Sequence, residues 1–193
     1  MPDKHDILII GPSWVGDMVM AQSLFAALKQ RYPESNIDVL APEWTRPLLA
    51  RMPEIREAIS MPVTHGVFGW KQRRKIGLGL RHKKYDQSIV LPNSWKSALI
   101  PWFAQIPTRT GWLGEMRYGL LNDPRKLNKL ALPLMVQRFV SLAHPASQAH
   151  IAPEYSPPKM IAEAVTSELA TVNSPNQKRL VLCPGAEFGP AKQ

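Results

Sequence analysis

The chain has 193 residues, 45% hydrophobic and 20% charged, a composition that fits a globular protein and excludes a disordered or fibrous one. Lys plus Arg is 24 and Asp plus Glu is 15, so the net charge is +9, which points to an anionic partner without choosing among nucleic acid, a phosphorylated sugar and an acidic membrane surface. The lone cysteine, Cys183, excludes a disulfide framework and fits a reducing, cytoplasmic compartment. The N-terminal apolar run is too short for a signal peptide, and no stretch approaches the roughly 20 apolar residues that span a bilayer.

Residues 6–10 (DILII) read as a buried parallel strand. A helix is expected over 18–32, where Met18, Ala21, Leu24, Phe25 and Leu28 share one stripe and Pro33 follows the end. Residues 37–41 read as a second strand, 44–52 as a helix and 57–61 as a weak third strand. A loop over 63–70 leads into a basic helix over 71–84, weakened by Gly77 and Gly79. Residues 87–91 form the fourth strand, 94–105 an apolar helix with Ser94 as N-cap, and 108–112 a short fifth strand. A helix over 133–143 follows. Residues 144–158 are polar and rich in proline, the signature of a linker. A helix over 158–172 and a buried strand over 178–183 run into the terminal PGAEFGPAKQ.

Alternating strands and helices with short connections predict an α/β fold: a Rossmann-like open parallel sheet flanked by helices. In such sheets the ligand sits beyond the C-terminal strand ends. The loops expected there are 11–17, 92–94 and 184–192. The first, GPSWVG followed by Asp17, is neither a Walker A loop nor GxGxxG. Asp17 would repel a phosphate. A carboxylate in a cleft can instead take a proton from a hydroxyl, or it can merely complement the helix dipole. The terminal loop has two glycines and Lys192, suited either to a phosphate or to an ordinary turn. The basic 71–84 stretch reads either as a solvated face or as a surface for acidic lipid or sugar. Trp112 suits sugar stacking or packing equally. The five histidines show no metal-ligand spacing, so no metal is expected.

The runs GPSWVGDMVMAQSLFAALKQRYP, LAPEWTRPLLARMPE, LPNSWKSALIPWFAQIPTRTGW, GEMRYGLLND and CPGAEFGPAK together resemble the bacterial glycosyltransferase 9 family, the ADP-heptose-dependent heptosyltransferases. The resemblance implies a GT-B architecture of two Rossmann-like lobes. Residues 1–175 would be the N-terminal acceptor lobe with its linker, and 176–193 the first strand and phosphate loop of an incomplete donor lobe. It implies inverting transfer of heptose from ADP-L-glycero-β-D-manno-heptose to the first heptose of heptosyl-Kdo2-lipid A, without a metal or other cofactor. Asp17 falls on the family's catalytic base. Lys192, with Gly185, Ala186 and Glu187, falls on the donor-phosphate loop. Ser13, Trp14, Gly16, Asn93, Ser94, Lys96, Arg109 and Arg117 become acceptor contacts. The acceptor's place on the inner leaflet implies a cytoplasmic protein that meets the inner face of the inner membrane peripherally, with no nucleic-acid partner. Family members continue past the lysine, so the chain is expected to stop inside the donor lobe and to turn over poorly by itself.

Overall fold

A computed structural model describes residues 5–62 and 68–162. Six parallel strands form one sheet: β1 (Asp6–Ile10), β2 (Asn36–Ala41), β3 (Ile55–Ser60), β4 (Gln87–Val90), β5 (Thr108–Trp112) and β6 (Asp123–Arg125). Their order is β3-β2-β1-β4-β5-β6, which switches direction at β1. The central strand lies in register with both neighbours, Ile7 opposite Ile37 on one side and Gln87 on the other.

The continuous apolar run of β1 follows from its position. Ile7 and Ile9 enter one core with Ile37, Val39 and Ile89, and Leu8 and Ile10 enter a second with Leu40 and Val90. A strand covered on both faces has no polar side. The first core is covered by α1 (Val15–Arg31) and α5 (Met135–Ser141), the second by α3 (Trp70–Leu80) and α4 (Leu99–Phe103). The α1 stripe is the expected one: Met18, Ala21, Leu24, Phe25 and Leu28 are all buried. Gly77 is what lets α3 settle on α4, because a Cβ there would stand 2.5 Å from Phe103 Cβ and 2.7 Å from the Ile100 carbonyl.

Several expectations need correction. The 44–52 helix is a single 3-10 turn followed by α2 (Arg46–Leu49). The 94–105 helix is likewise a 3-10 turn, Trp95–Ala98, followed by α4. Ser94 occupies the N-cap position, but its side chain makes no capping bond; its carbonyl accepts from Ser97 instead. The sixth strand, β6, has no local signal in the sequence, since Asp-Pro-Arg is not a strand-forming run. It is held by Arg125, which donates to the carbonyls of Ser141 and His144 and pairs with Asp123.

The 144–158 stretch does not read as a free linker. Gln22 and Ser23, buried on α1, donate to the carbonyls of Lys159 at 2.6 Å and Ser156 at 2.7 Å. Buried donors need acceptors, and this strap supplies them. Ile161 is fixed in turn by its N–H on the Arg51 carbonyl. Residues 158–162 are not helical; the rest of the expected 158–172 helix and the 178–183 strand, with Cys183, lie outside the described residues.

Candidate active site

Because every pairing in the sheet is parallel, all six strands end at one rim. The loop after β1 leaves between the loops after β2 and β4, pinned by Gly11 N–H on the Leu40 carbonyl and Leu91 N–H on the Ile10 carbonyl. Gly11 makes the turn possible. A Cβ there would meet Met18 Cε at 2.8 Å and the side chains of Val39 and Ala41 at 3.2 Å. The close approach lets α1 begin at Val15, earlier than expected, so Asp17 sits inside the first turn of the helix.

Asp17 is half-buried. Burial raises its carboxyl above the usual value of 3.8, because desolvation disfavours the charged form. Among the described residues no side chain pairs with it. The loop before it is also built from rim contacts: Trp44, exposed just past β2, donates its indole N–H to the Ser13 carbonyl at 3.1 Å. Trp14 is the N-cap residue and about two-fifths exposed. Gly16 is exposed, with open space where a side chain would stand. A sequence reading could have found Trp44 from its place immediately after a strand end.

The loop after β4 carries Asn93, Ser94 and Lys96. Asn93 is exposed, and Ser94 and Lys96 are partly so. Glu115, from the loop after β5, accepts the Trp95 N–H at 3.1 Å and so caps the 3-10 turn that holds Lys96. The rim therefore joins Ser13, Trp14, Gly16 and Asp17 on one loop to Asn93, Ser94 and Lys96 on the adjacent one. It offers a carboxylate with a raised pKa, amide and hydroxyl groups, an ammonium and exposed indoles. That set can orient a polyol, accept a proton and hold an anion.

Two expected acceptor contacts are placed elsewhere. Arg117 is fully buried; its guanidinium donates to the Pro92 carbonyl at 2.7 Å and to the Trp112 carbonyl. It lies beneath the rim and fixes the loop that carries Asn93. Arg109 pairs with Ser88 early in β5, toward the opposite end of the sheet from the rim. Its guanidinium is spent on the Leu120 and Ile106 carbonyls, at 2.6 and 2.7 Å. Trp112 is a packing residue, 3% exposed with its indole N–H on the Arg138 carbonyl.

The basic stretch divides in the same way. Arg73 is buried and donates to the Phe68 carbonyl, Arg81 donates to the Phe103 carbonyl, and Lys83 pairs with Glu57. Lys71, Arg74 and Lys75 remain exposed. Gly185, Ala186, Glu187 and Lys192 lie outside the described residues. Among the described residues no group of three His, Cys, Asp or Glu side chains could hold a metal ion, and no helix is long and apolar enough to cross a membrane.

Known proteins share both the sequence and this fold. Lipopolysaccharide heptosyltransferase 2 of Salmonella typhimurium is 55% identical over 97% of this chain and 56% of its own length. The solved E. coli ADP-heptose lps heptosyltransferase II superposes with a TM-score of 0.83 at 51% identity, again over 97% of this chain and 56% of that one. The chain thus spans about half the length of these relatives. An E. coli heptosyltransferase solved with ADP-2-deoxy-2-fluoro heptose shares the fold at 18% identity and a TM-score of 0.62, covering 79% of this chain and 51% of that one. The family model for glycosyltransferase family 9 (heptosyltransferase) matches residues 73–193. That match takes in more than half of the sequence, and the chain belongs to glycosyltransferase family 9.

Proposed function

We propose that this chain is the acceptor-binding part of an inverting heptosyltransferase. It would serve transfer of heptose from ADP-L-glycero-β-D-manno-heptose to the first heptose of heptosyl-Kdo2-lipid A, at the inner face of the inner membrane. The observation that carries the reading is Asp17: a half-buried carboxylate in the first turn of α1, raised above its usual pKa by burial, on the segment that follows β1 at the rim of the sheet. The names and identities of the two heptosyltransferase 2 relatives support the choice of sugar.

In this reading Asp17 takes the proton from the acceptor hydroxyl as its oxygen attacks the anomeric carbon of the donor heptose. The new glycosidic bond forms on the face opposite the leaving ADP, which inverts the centre. Desolvation makes the carboxylate a better base. Ser13, Trp14, Gly16, Asn93, Ser94 and Lys96 would bind the acceptor, and Lys96 would face its acidic groups. Residues 176–193, with Lys192, Gly185, Ala186 and Glu187, would begin the donor lobe, where a lysine and backbone amides stabilise the leaving diphosphate.

Calorimetric titration tests this, with heptosyl-Kdo2-lipid A, the heptose-free glycolipid and an RNA oligomer compared at two salt concentrations. Saturable binding that requires the heptose is expected. Equal binding to all three, fading together with salt, would leave a basic module of no sugar specificity.

A further inference from the structure

We propose that a row of aromatic rings along α3 and α4, flanked by Lys71, Arg74 and Lys75, docks this protein onto an anionic phospholipid bilayer. The rings touch in sequence. Trp95 lies 5.0 Å from Phe68 between centroids, Phe68 5.9 Å from Trp70, Trp70 5.0 Å from Phe103 and Phe103 5.0 Å from Trp102. Phe103 is buried and anchors the row, while Phe68, Trp70, Trp95 and Trp102 are each 41–43% exposed. Isolated exposed apolar residues need no explanation, but four in one contiguous row mark an interaction surface. Half-exposed indoles suit the bilayer interface, where one edge meets acyl chains and the N–H meets headgroups.

The charge beside the row is of one sign. The inward side of α3 is Arg73, Gly77 and Leu80, which leaves Lys71, Arg74 and Lys75 exposed, with Arg74 one helical turn from Trp70. Among the described residues none of these three cations forms an ion pair. From Ala58 to Gly114 the sequence holds nine Lys and Arg and a single acid, Asp86. The acid at the margin of the row, Glu115, is engaged by the Trp95 N–H. Cations around an aromatic patch complement an anionic leaflet. The rings do not form a nucleic-acid platform: their close, tilted and edge-on packing leaves no slot between neighbours for a base.

This deepens the reading of the acceptor as a membrane glycolipid, yet it concerns a different ligand and a surface that meets the acceptor rim only at Trp95. It is tested by co-sedimentation with phosphatidylglycerol/phosphatidylcholine vesicles that contain no glycolipid, against phosphatidylcholine alone, at two salt concentrations. Binding to the anionic vesicles is expected, weakened by salt, together with quenching of tryptophan fluorescence by brominated acyl chains. Trp102→Ala, and separately the double variant Lys71→Glu/Lys75→Glu, should each lower vesicle partitioning at least about tenfold with an unchanged melting temperature. Undiminished partitioning in both variants would overturn the proposal. So would binding without quenching that an RNA oligomer matches, or a concentration-dependent dimer abolished by Trp102→Ala. Loss of vesicle binding with heptose-dependent acceptor binding intact would reject the docking face and keep the heptosyltransferase reading; the converse would reject only the latter.

Discussion

Arg117 donates to the Pro92 carbonyl at 2.7 Å from a guanidinium that solvent does not reach. This bond, with the one to the Trp112 carbonyl, ties the ends of β4 and β5 together directly beneath Asn93 and Ser94. Arg117→Ala takes a donor from the buried Trp112 carbonyl, leaves the Pro92 carbonyl with the Ser97 hydroxyl, and empties the volume of a large side chain. The expected cost is about 3 kcal/mol of unfolding free energy in urea denaturation. Arg117→Lys should recover only part of it, since an ammonium lacks the planar fork that spans both acceptors. Arg117 is thus a positioning residue: at temperatures where the variants stay folded, acceptor affinity should fall with the geometry of the 92–96 loop.

Asp38 forms the other buried polar centre, on β2. Arg56 grips it through Nε at 2.8 Å and Nη2 at 2.6 Å, and the Tyr85 hydroxyl donates to it at 2.6 Å. Tyr85→Phe should cost about 1–2 kcal/mol, the value of a hydrogen bond to a charged group. Burial, followed by the bond to Asp38, pushes the Tyr85 hydroxyl well above its usual value of 10.0. The folded state therefore keeps that proton after the unfolded chain has lost it. The contribution is fully present below pH 10 and declines as pH rises above it. Chemical denaturation from pH 8 to 11 should show this decline in the parent and a shallower one in Tyr85→Phe.

Gly77→Ala sets two effects against each other. Helix propensity favours alanine by about 1 kcal/mol. The new Cβ would stand 2.5 Å from Phe103 Cβ and 2.7 Å from the backbone carbonyl of Ile100, which cannot simply rotate away. Overpacking of this kind costs about 1–3 kcal/mol or more, so thermal melting should show net destabilisation.

Much of the frame is legible in the sequence because the signals are local. The two-sided core of β1 requires the unbroken DILII, and the α1 stripe follows the helical period. β6 is held by the tertiary contacts of Arg125, which no local pattern announces. The position of Asp17, Asn93 and Lys96 just past strand ends is legible, because the alternation of strands and helices decides it. What each side chain bonds to is not legible where burial decides. Arg109 and Arg117 share the residue type and neighbourhood expected of anion contacts, yet both guanidiniums are spent on backbone carbonyls. Nothing in the composition distinguishes an exposed arginine from one folded under its own loop.

Asp17→Asn should separate stability from function. Burial raises the carboxyl, so the charged form costs the folded state, and that cost sets in as pH rises above about 3.8. The amide variant should melt at or slightly above the parent's temperature at pH 7, within a few degrees. An active-site charge held at the expense of stability gives this pattern. A helix-capping acid would give a lower melting temperature.

The most direct measurement follows the Asp17 carboxyl itself by carbon-detected NMR of aspartate-labelled protein, titrated with pH in the presence of heptosyl-Kdo2-lipid A or the heptose-free glycolipid. If Asp17 is the base that receives the acceptor proton, its midpoint lies above the usual aspartate value, and only the heptose-bearing acceptor moves its resonance. A resonance with an ordinary midpoint that neither glycolipid perturbs would contradict the assignment and leave Asp17 a carboxylate that serves only its helix.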